Sequence, residues 1–162
     1  ERNDDAIPRP QGADQVEIQV SANPGMPLRP LSKVASGGEL SRISLALQVA
    51  LTGGKSVSTL IFDEVDSGIG GGVAEVVGQK LRQLGSAIQV LSVTHLPQVA
   101  ALGHQHLKVA KATVDAQTRT EVQSLDKAQR VDEIARMLGG VVMTAQTLAH
   151  AREMLDRGAG AS

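Results

Sequence analysis

The sequence predicts an α/β fold: a parallel-rich sheet flanked by helices, followed by a C-terminal β-hairpin and two helices. Three observations carry that expectation. Thr59-Leu60-Ile61-Phe62 is a short apolar run that ends in Asp63-Glu64, and Val90-Leu91-Ser92-Val93-Thr94 is a second run that delivers His95. Between them lies a stretch with helical spacing, and a strand, a helix and a strand joined by short links favour a parallel pair. Upstream, Ser36-Gly37-Gly38-Glu39 opens another helical stretch.

Taken in order, residues 1–14 carry Pro8, Pro10 and Gly12 and read as a flexible lead-in. Val16, Ile18 and Val20 alternate with polar residues, the period of a half-buried strand. Asn23-Pro24-Gly25, Pro27 and Pro30 form a loop, and residues 15–157 are expected to make one lobe. Leu40, Ile43, Leu47, Ala50 and Leu51 recur at helical spacing until Gly53-Gly54, which predicts a helix with that apolar face. Strands are expected over 58–62 and 88–93, with Val73, Val76, Val77, Leu81 and Leu84 facing the core from the intervening helix. Pro97 suits the first turn of a short helix. Residues 105–111 and 119–125 read as a hairpin with Asp115–Thr118 as its turn. Helices over 127–138 and 145–156 follow, the second capped by Thr144. Residues 158–162 are small and read as a disordered tail.

Composition narrows the function. The 162 residues hold 16 Lys and Arg against 17 Asp and Glu, so no global field favours nucleic acid or an anionic membrane. Contact with DNA must come from a local patch or from other parts of a larger protein. With no cysteine, disulfides and thiolate metal sites are excluded, and a reducing compartment suits the chain. No apolar run reaches the roughly 20 residues of a membrane span, and Glu1-Arg2-Asn3-Asp4-Asp5 is not a signal peptide. Phe62 is the single aromatic, which excludes a stacking platform for single strands.

Each candidate site also has a plain structural reading. Ser36 with Glu39 three positions on is a capping box. A cap does not require glycine, however, and Gly37 and Gly38 cost about 1 kcal/mol each in helix propensity. Glycines at a helix start let backbone N–H groups approach an anion closely, and phosphate is the natural one. Asp63 and Glu64 close a strand, where open α/β sheets place ligands. Successive strand residues point to opposite faces, so one carboxylate can hold Mg²⁺ while the other activates a water. His95 is placed to hydrogen-bond a γ-phosphate, whereas His104 and His106 read as surface residues. Gly53-Gly54-Lys55-Ser56 ends like a P-loop, but the glycine needed at position 49 is valine and the segment enters a strand instead of leaving one. It is read as a turn.

These residues resemble the C-terminal half of an ABC-class ATPase head of the SMC-like type. The resemblance rests on Val34–Arg42 (VASGGELSR), Leu60–Asp66 (LIFDEVD) and Val93–Ala100 (VTHLPQVA), and extends over roughly residues 15–157. It implies that Ser36, Gly37, Gly38 and Glu39 form the signature motif, touching ATP held by the opposite subunit. Asp63 is implied as the Mg²⁺-coordinating Walker B aspartate, Glu64 as the catalytic glutamate and His95 as the switch histidine. Asp66, Ser67 and Gly68 fall in the D-loop, at the dimer interface. ATP and Mg²⁺ are the implied cofactors. The implied partners are the N-terminal half of the same head, which carries the P-loop, a second head in an ATP-dependent homodimer, DNA through the full-length protein, and recombination proteins. The implied setting is a bacterial cytoplasmic, nucleoid-associated ATPase in recombinational repair of double-strand breaks, the fragment alone being inactive. Two alternatives compete: a fragment of an ABC transporter nucleotide-binding domain, and a non-catalytic head dimerisation module.

Overall fold

In the computed structural model the residues described are 16–21, 25–33, 36–51, 57–114, 117–139 and 143–160. The lead-in 1–14, the Gly53–Ser56 turn, and residues 161–162 lie outside them. The chain divides into two compact units, Glu1–Ser36 and Gly37–Ser162, where the sequence suggested one lobe from residue 15.

The first unit holds β1 (Gln19–Val20) and β2 (Arg29–Pro30), paired antiparallel, and a 3₁₀ turn at Leu31–Lys33. The Leu31 N–H donates to the Ile18 carbonyl at 2.9 Å and the Ser21 hydroxyl to the Met26 carbonyl at 2.9 Å. The expected strand is therefore cut to two residues, with Val16 and Ile18 exposed. The partner strand falls in the segment read as loop. Pro30 is tolerated there because a two-stranded ribbon is all edge.

The second unit starts with α1 (Gly37–Ala50), β3 (Thr59–Phe62), α2 (Gly71–Gly85) and β4 (Gln89–Ser92). β3 and β4 pair in parallel, with Leu60 opposite Val90 and Phe62 opposite Ser92. α2 covers the face bearing Leu60, Phe62 and Val90, burying Ala74, Val77, Leu81 and Leu84 together with Leu45 of α1 and Val65. Val73 and Val76, expected in the core, are exposed, so the buried stripe of α2 is rotated toward Ala74, Val77 and Gly78. In α1 the inward residues are Gly38 and Leu45, and Leu40, Leu47 and Leu51 are exposed. This orientation of α1 has a polar side, because Ser41 and Arg42 bond to the loop after β3.

α3 (Pro97–Ala100), with Pro97 at its start, joins this core to a second one. There Ala100 and Ala101 pack with Ile134, Ala135 and Ala151 from α4 (Lys127–Gly139) and α5 (Ala145–Gly160). Small residues set these distances. A Cβ on Gly78 would lie 2.6 Å from Leu102 Cδ1 and 3.2 Å from Val99 Cα, and one on Gly158 would lie 2.6 Å from the Ala101 carbonyl oxygen. α5 runs on to Gly160, past the expected start of a disordered tail, with Gly158 buried close against Ala101. Asp126 and Gln129 cap α4 reciprocally, at 2.8 and 3.0 Å, and Thr144 caps α5 through the Thr147 N–H at 3.1 Å.

Between the helices stands the hairpin β5 (Leu107–Val114) and β6 (Gln117–Ser124). Its ladder extends to Val114 opposite Gln117, so the link is residues 115–116, outside the described set, and not Asp115–Thr118. Buried Glu133 of α4 pins the hairpin base through Lys108 at 2.7 Å and also binds Arg136 at 2.6 Å. The parallel part of the fold is thus one β-α-β unit, and the other described ladders are antiparallel. Its far face is uncovered, with Ile61 71% and Val93 62% exposed.

Candidate functional site

Three segments of the second unit converge beyond the carboxyl ends of β3 and β4: the start of α1, the loop after β3, and the loop after β4. Glycine leaves room where α1 meets the first loop, most tightly at position 38. A Cβ on Gly37 would stand 2.9 Å from Glu64 Oε2, and one on Gly38 would stand 3.0 Å from both Ser67 Cβ and the Ser67 carbonyl oxygen. One turn further on, at i+4 from each glycine and so on the same face, Ser41 and Arg42 reach the same loop. The Ser41 hydroxyl donates to the Asp63 carbonyl at 3.0 Å. Arg42 Nη1 donates to the carbonyls of Val65 at 3.3 Å and Ser67 at 2.9 Å.

The loop itself is sharply folded. Glu64 has φ 57°, the single described non-glycine residue in the left-handed region. Asp63 Oδ1 accepts the Glu64 N–H at 3.0 Å, and the Ser67 N–H closes a turn onto the Glu64 carbonyl at 3.0 Å. Asp63 and Glu64 are both exposed, whereas Asp66 is 2% exposed. The Asp66 carboxylate crosses to the second loop. Its Oδ2 accepts the Thr94 hydroxyl at 2.5 Å and the His95 N–H at 3.1 Å, and lies 3.4 Å from His95 Nδ1. The His95 side chain is 76% exposed. Ser67 and Gly68 are exposed, Gly68 with φ 70°.

Gly37, Gly38, Asp63, Glu64, Asp66 and His95 are therefore brought to one place. Glu39 lies in the first turn of α1, half-buried, and Ser36 immediately precedes the helix as the last residue of the first unit. Ser41, Arg42 and Thr94 were not singled out from sequence, although the i+4 spacing from the two glycines was a signal for the first two. His104 is exposed as expected, but His106 is half-buried with its Nδ1 shielded from solvent. Burial first, then the charge of Arg130, lowers its imidazole below the ordinary value. Among the described residues no group of three or more His, Asp or Glu side chains could hold a metal by itself. Exposed Asp63 supplies a hard oxygen, the donor that Mg²⁺ takes singly or in pairs when phosphates complete its shell.

No family model matches the chain. It is 55% identical over 149 residues to a DNA repair protein RecN of Xylella fastidiosa, and 54% identical over 154 residues to that of Vibrio cholerae. A RecN of Bacillus subtilis is 48% identical over 147 residues. The chain is similar to part of these RecN proteins. These matches cover 92, 95 and 91% of the chain but 27, 28 and 26% of the respective relatives, so the chain spans about a quarter of the RecN proteins it matches, toward their C-terminal part. A solved structure described under ATP-driven dimerization and DNA-stimulated activation of SMC ATPases aligns with a TM-score of 0.51 and 18% identity. It covers 73% of this chain and 70% of that one, which shows a shared fold. The mixed α/β arrangement is that of the C-terminal lobe of an ABC-type head. Among the described residues no helix is long and apolar enough to cross a membrane.

Proposed function

We propose that the chain is the C-terminal part of an ATP-binding and hydrolysing head in a RecN-like protein that serves recombinational repair of DNA double-strand breaks. The observation that supports this most is the meeting of a Gly-Gly helix start, an Asp-Glu pair and a histidine at one pair of strand ends. Bound Mg·ATP supplies the phosphoryl group and the charge that this site is built to meet.

In that reading Asp63 holds Mg²⁺, and Glu64 accepts a proton from the attacking water. His95, exposed at the end of β4, donates a hydrogen bond toward the γ-phosphate. Ser36, Gly37, Gly38 and Glu39 receive the nucleotide of a second head at the positive end of α1. Ser67 and Gly68 lie on the exposed side of the loop, toward that second head. The P-loop belongs to the N-terminal half of the head, whose expected seat is the bare face around Ile61 and Val93. DNA and recombination proteins are partners of the whole protein, in the bacterial cytoplasm.

The test is Ser36→Asp in the full-length protein. Aspartate caps a helix as well as serine, so the melting temperature should hold. Its charge opposes a phosphate, so light scattering with a non-hydrolysable ATP analogue should show no head association. Normal ATP-driven association in Ser36→Asp would return this serine to a capping role.

A further inference from the structure

We propose that Arg42 and Asp66 are positioning residues for His95: Arg42 ties the Gly-Gly helix to the loop after β3, and Asp66, at the centre of that loop, holds the histidine. The inference rests on the ATPase reading above for its catalytic consequence, but its geometry stands alone. Arg42 Nη1 binds the carbonyls of residues 65 and 67, which bracket Asp66 on both sides. Glycine at position 38 leaves it room, since a Cβ there would lie 3.1 Å from the same nitrogen. The other side of Asp66 faces the loop after β4, where Oδ2 takes the Thr94 hydroxyl and the His95 N–H and lies 3.4 Å from His95 Nδ1. Thr94 in turn accepts the Leu96 N–H at 3.0 Å, so the middle of the turn carrying His95, between backbone bonds at Val93 and Leu96, is tied to one carboxylate oxygen.

Asp66 is costly for a structural residue. Glu133, the other buried acid among the described residues, has Lys108 and Arg136 beside it. Asp66 has two neutral donors and a mostly exposed histidine. A buried carboxylate with so little compensation is more readily replaced by a neutral group when only packing is at stake. Its use here is orientation. With Nδ1 facing Asp66, the imidazole is turned so that Nε2 is the nitrogen left for a ligand.

Amide hydrogen exchange, read by NMR on the 162-residue chain, tests this without nucleotide. Asp66→Asn should speed exchange of the His95 amide by about tenfold or more, because a charged acceptor is replaced by a neutral one. Arg42→Gln should speed it too, although the bonds of Arg42 end on the 65–67 loop, while Ile134 in the second core keeps its protection. Arg42→Lys, which keeps the charge, should bring His95 part-way back. If Arg42→Gln does not fold, Arg42→Lys and Asp66→Asn carry the comparison. His95 exchange unchanged in Asp66→Asn, or in a folded Arg42→Gln, overturns the proposal. In the full-length protein Arg42→Gln should then lower kcat for ATP while leaving nucleotide affinity intact. Normal turnover with a loosened His95 would overturn the catalytic role of His95 and leave its positioning by Asp66 standing.

Discussion

Glu64 holds a left-handed backbone that L residues with a side chain avoid, and it does so at the position proposed to activate water. Such strain costs about 1–3 kcal/mol and persists where the surroundings enforce it. Here they do: the Asp63 carboxylate binds the Glu64 N–H, and Ser41 fixes the Asp63 carbonyl. Glu64→Gly should relieve the strain and raise the melting temperature, by about 1 kcal/mol in stability terms, even though glycine loosens the unfolded chain. A melting temperature below wild type would mean that the glutamate side chain stabilises the fold. The residue types of the site were legible, since Asp63, Glu64 and His95 announce themselves at strand ends. What sequence could not supply was the turn that Glu64 makes, or that Asp66 is buried against Thr94 and His95 instead of lying exposed beside Ser67. Burial of a carboxylate depends on which loop crosses which, and that is a tertiary fact.

At the scale of elements, helix faces were the weakest expectation. In α1 the exposed Leu40 and Leu47, with Leu51 just beyond the helix, have the spacing of a core face, yet Gly38 and Leu45 are buried and Ser41 and Arg42 bond to the loop. Hydrogen bonds set that rotation, and a hydropathy pattern does not register them. Glycine contacts were also invisible. Gly158→Ala should destabilise by about 1–3 kcal/mol in denaturant unfolding, because its Cβ would meet a backbone oxygen that cannot swing away. No measurable loss would show that α5 slides freely over α3. Strands and caps read better: β3, β4, the hairpin, the short helix after Leu96 and the Thr144 cap all lie where the pattern put them, within one to three residues.

The Glu133 cluster gives a further prediction at this scale. Arg136 first and Lys108 next hold its carboxyl down to about 2 against burial, from an ordinary 4.5. A depressed carboxylate contributes its stability above its unfolded value and loses it as pH falls. Thermal melts of wild type and Glu133→Gln should therefore differ most at and above about pH 5 and converge as pH falls from 4.5 through about 2. A constant difference across that window would remove Glu133 from the account.

At the scale of the molecule, the proposed function makes the chain one side of a site. Its charge is balanced and its sheet is bare on one face. The 162 residues contain no P-loop, and phosphoryl transfer depends chiefly on positioning the phosphates. The order of motifs suggested that reading before any fold was known, and the structure gathers the acidic pair and the histidine at the ends of β3 and β4 with the start of α1 beside them. The division of the chain after Ser36 was not read from the sequence, although Pro8, Pro10, Pro24, Pro27 and Pro30 all precede it and Pro97 alone follows. The most direct measurement is ATP turnover beside nucleotide affinity in the full-length protein, wild type against Glu64→Gln. The account predicts turnover lower by about 10²–10⁴-fold with affinity nearly unchanged, because a general base acts in the transition state. Undiminished turnover, or a loss explained wholly by weaker binding, would contradict it.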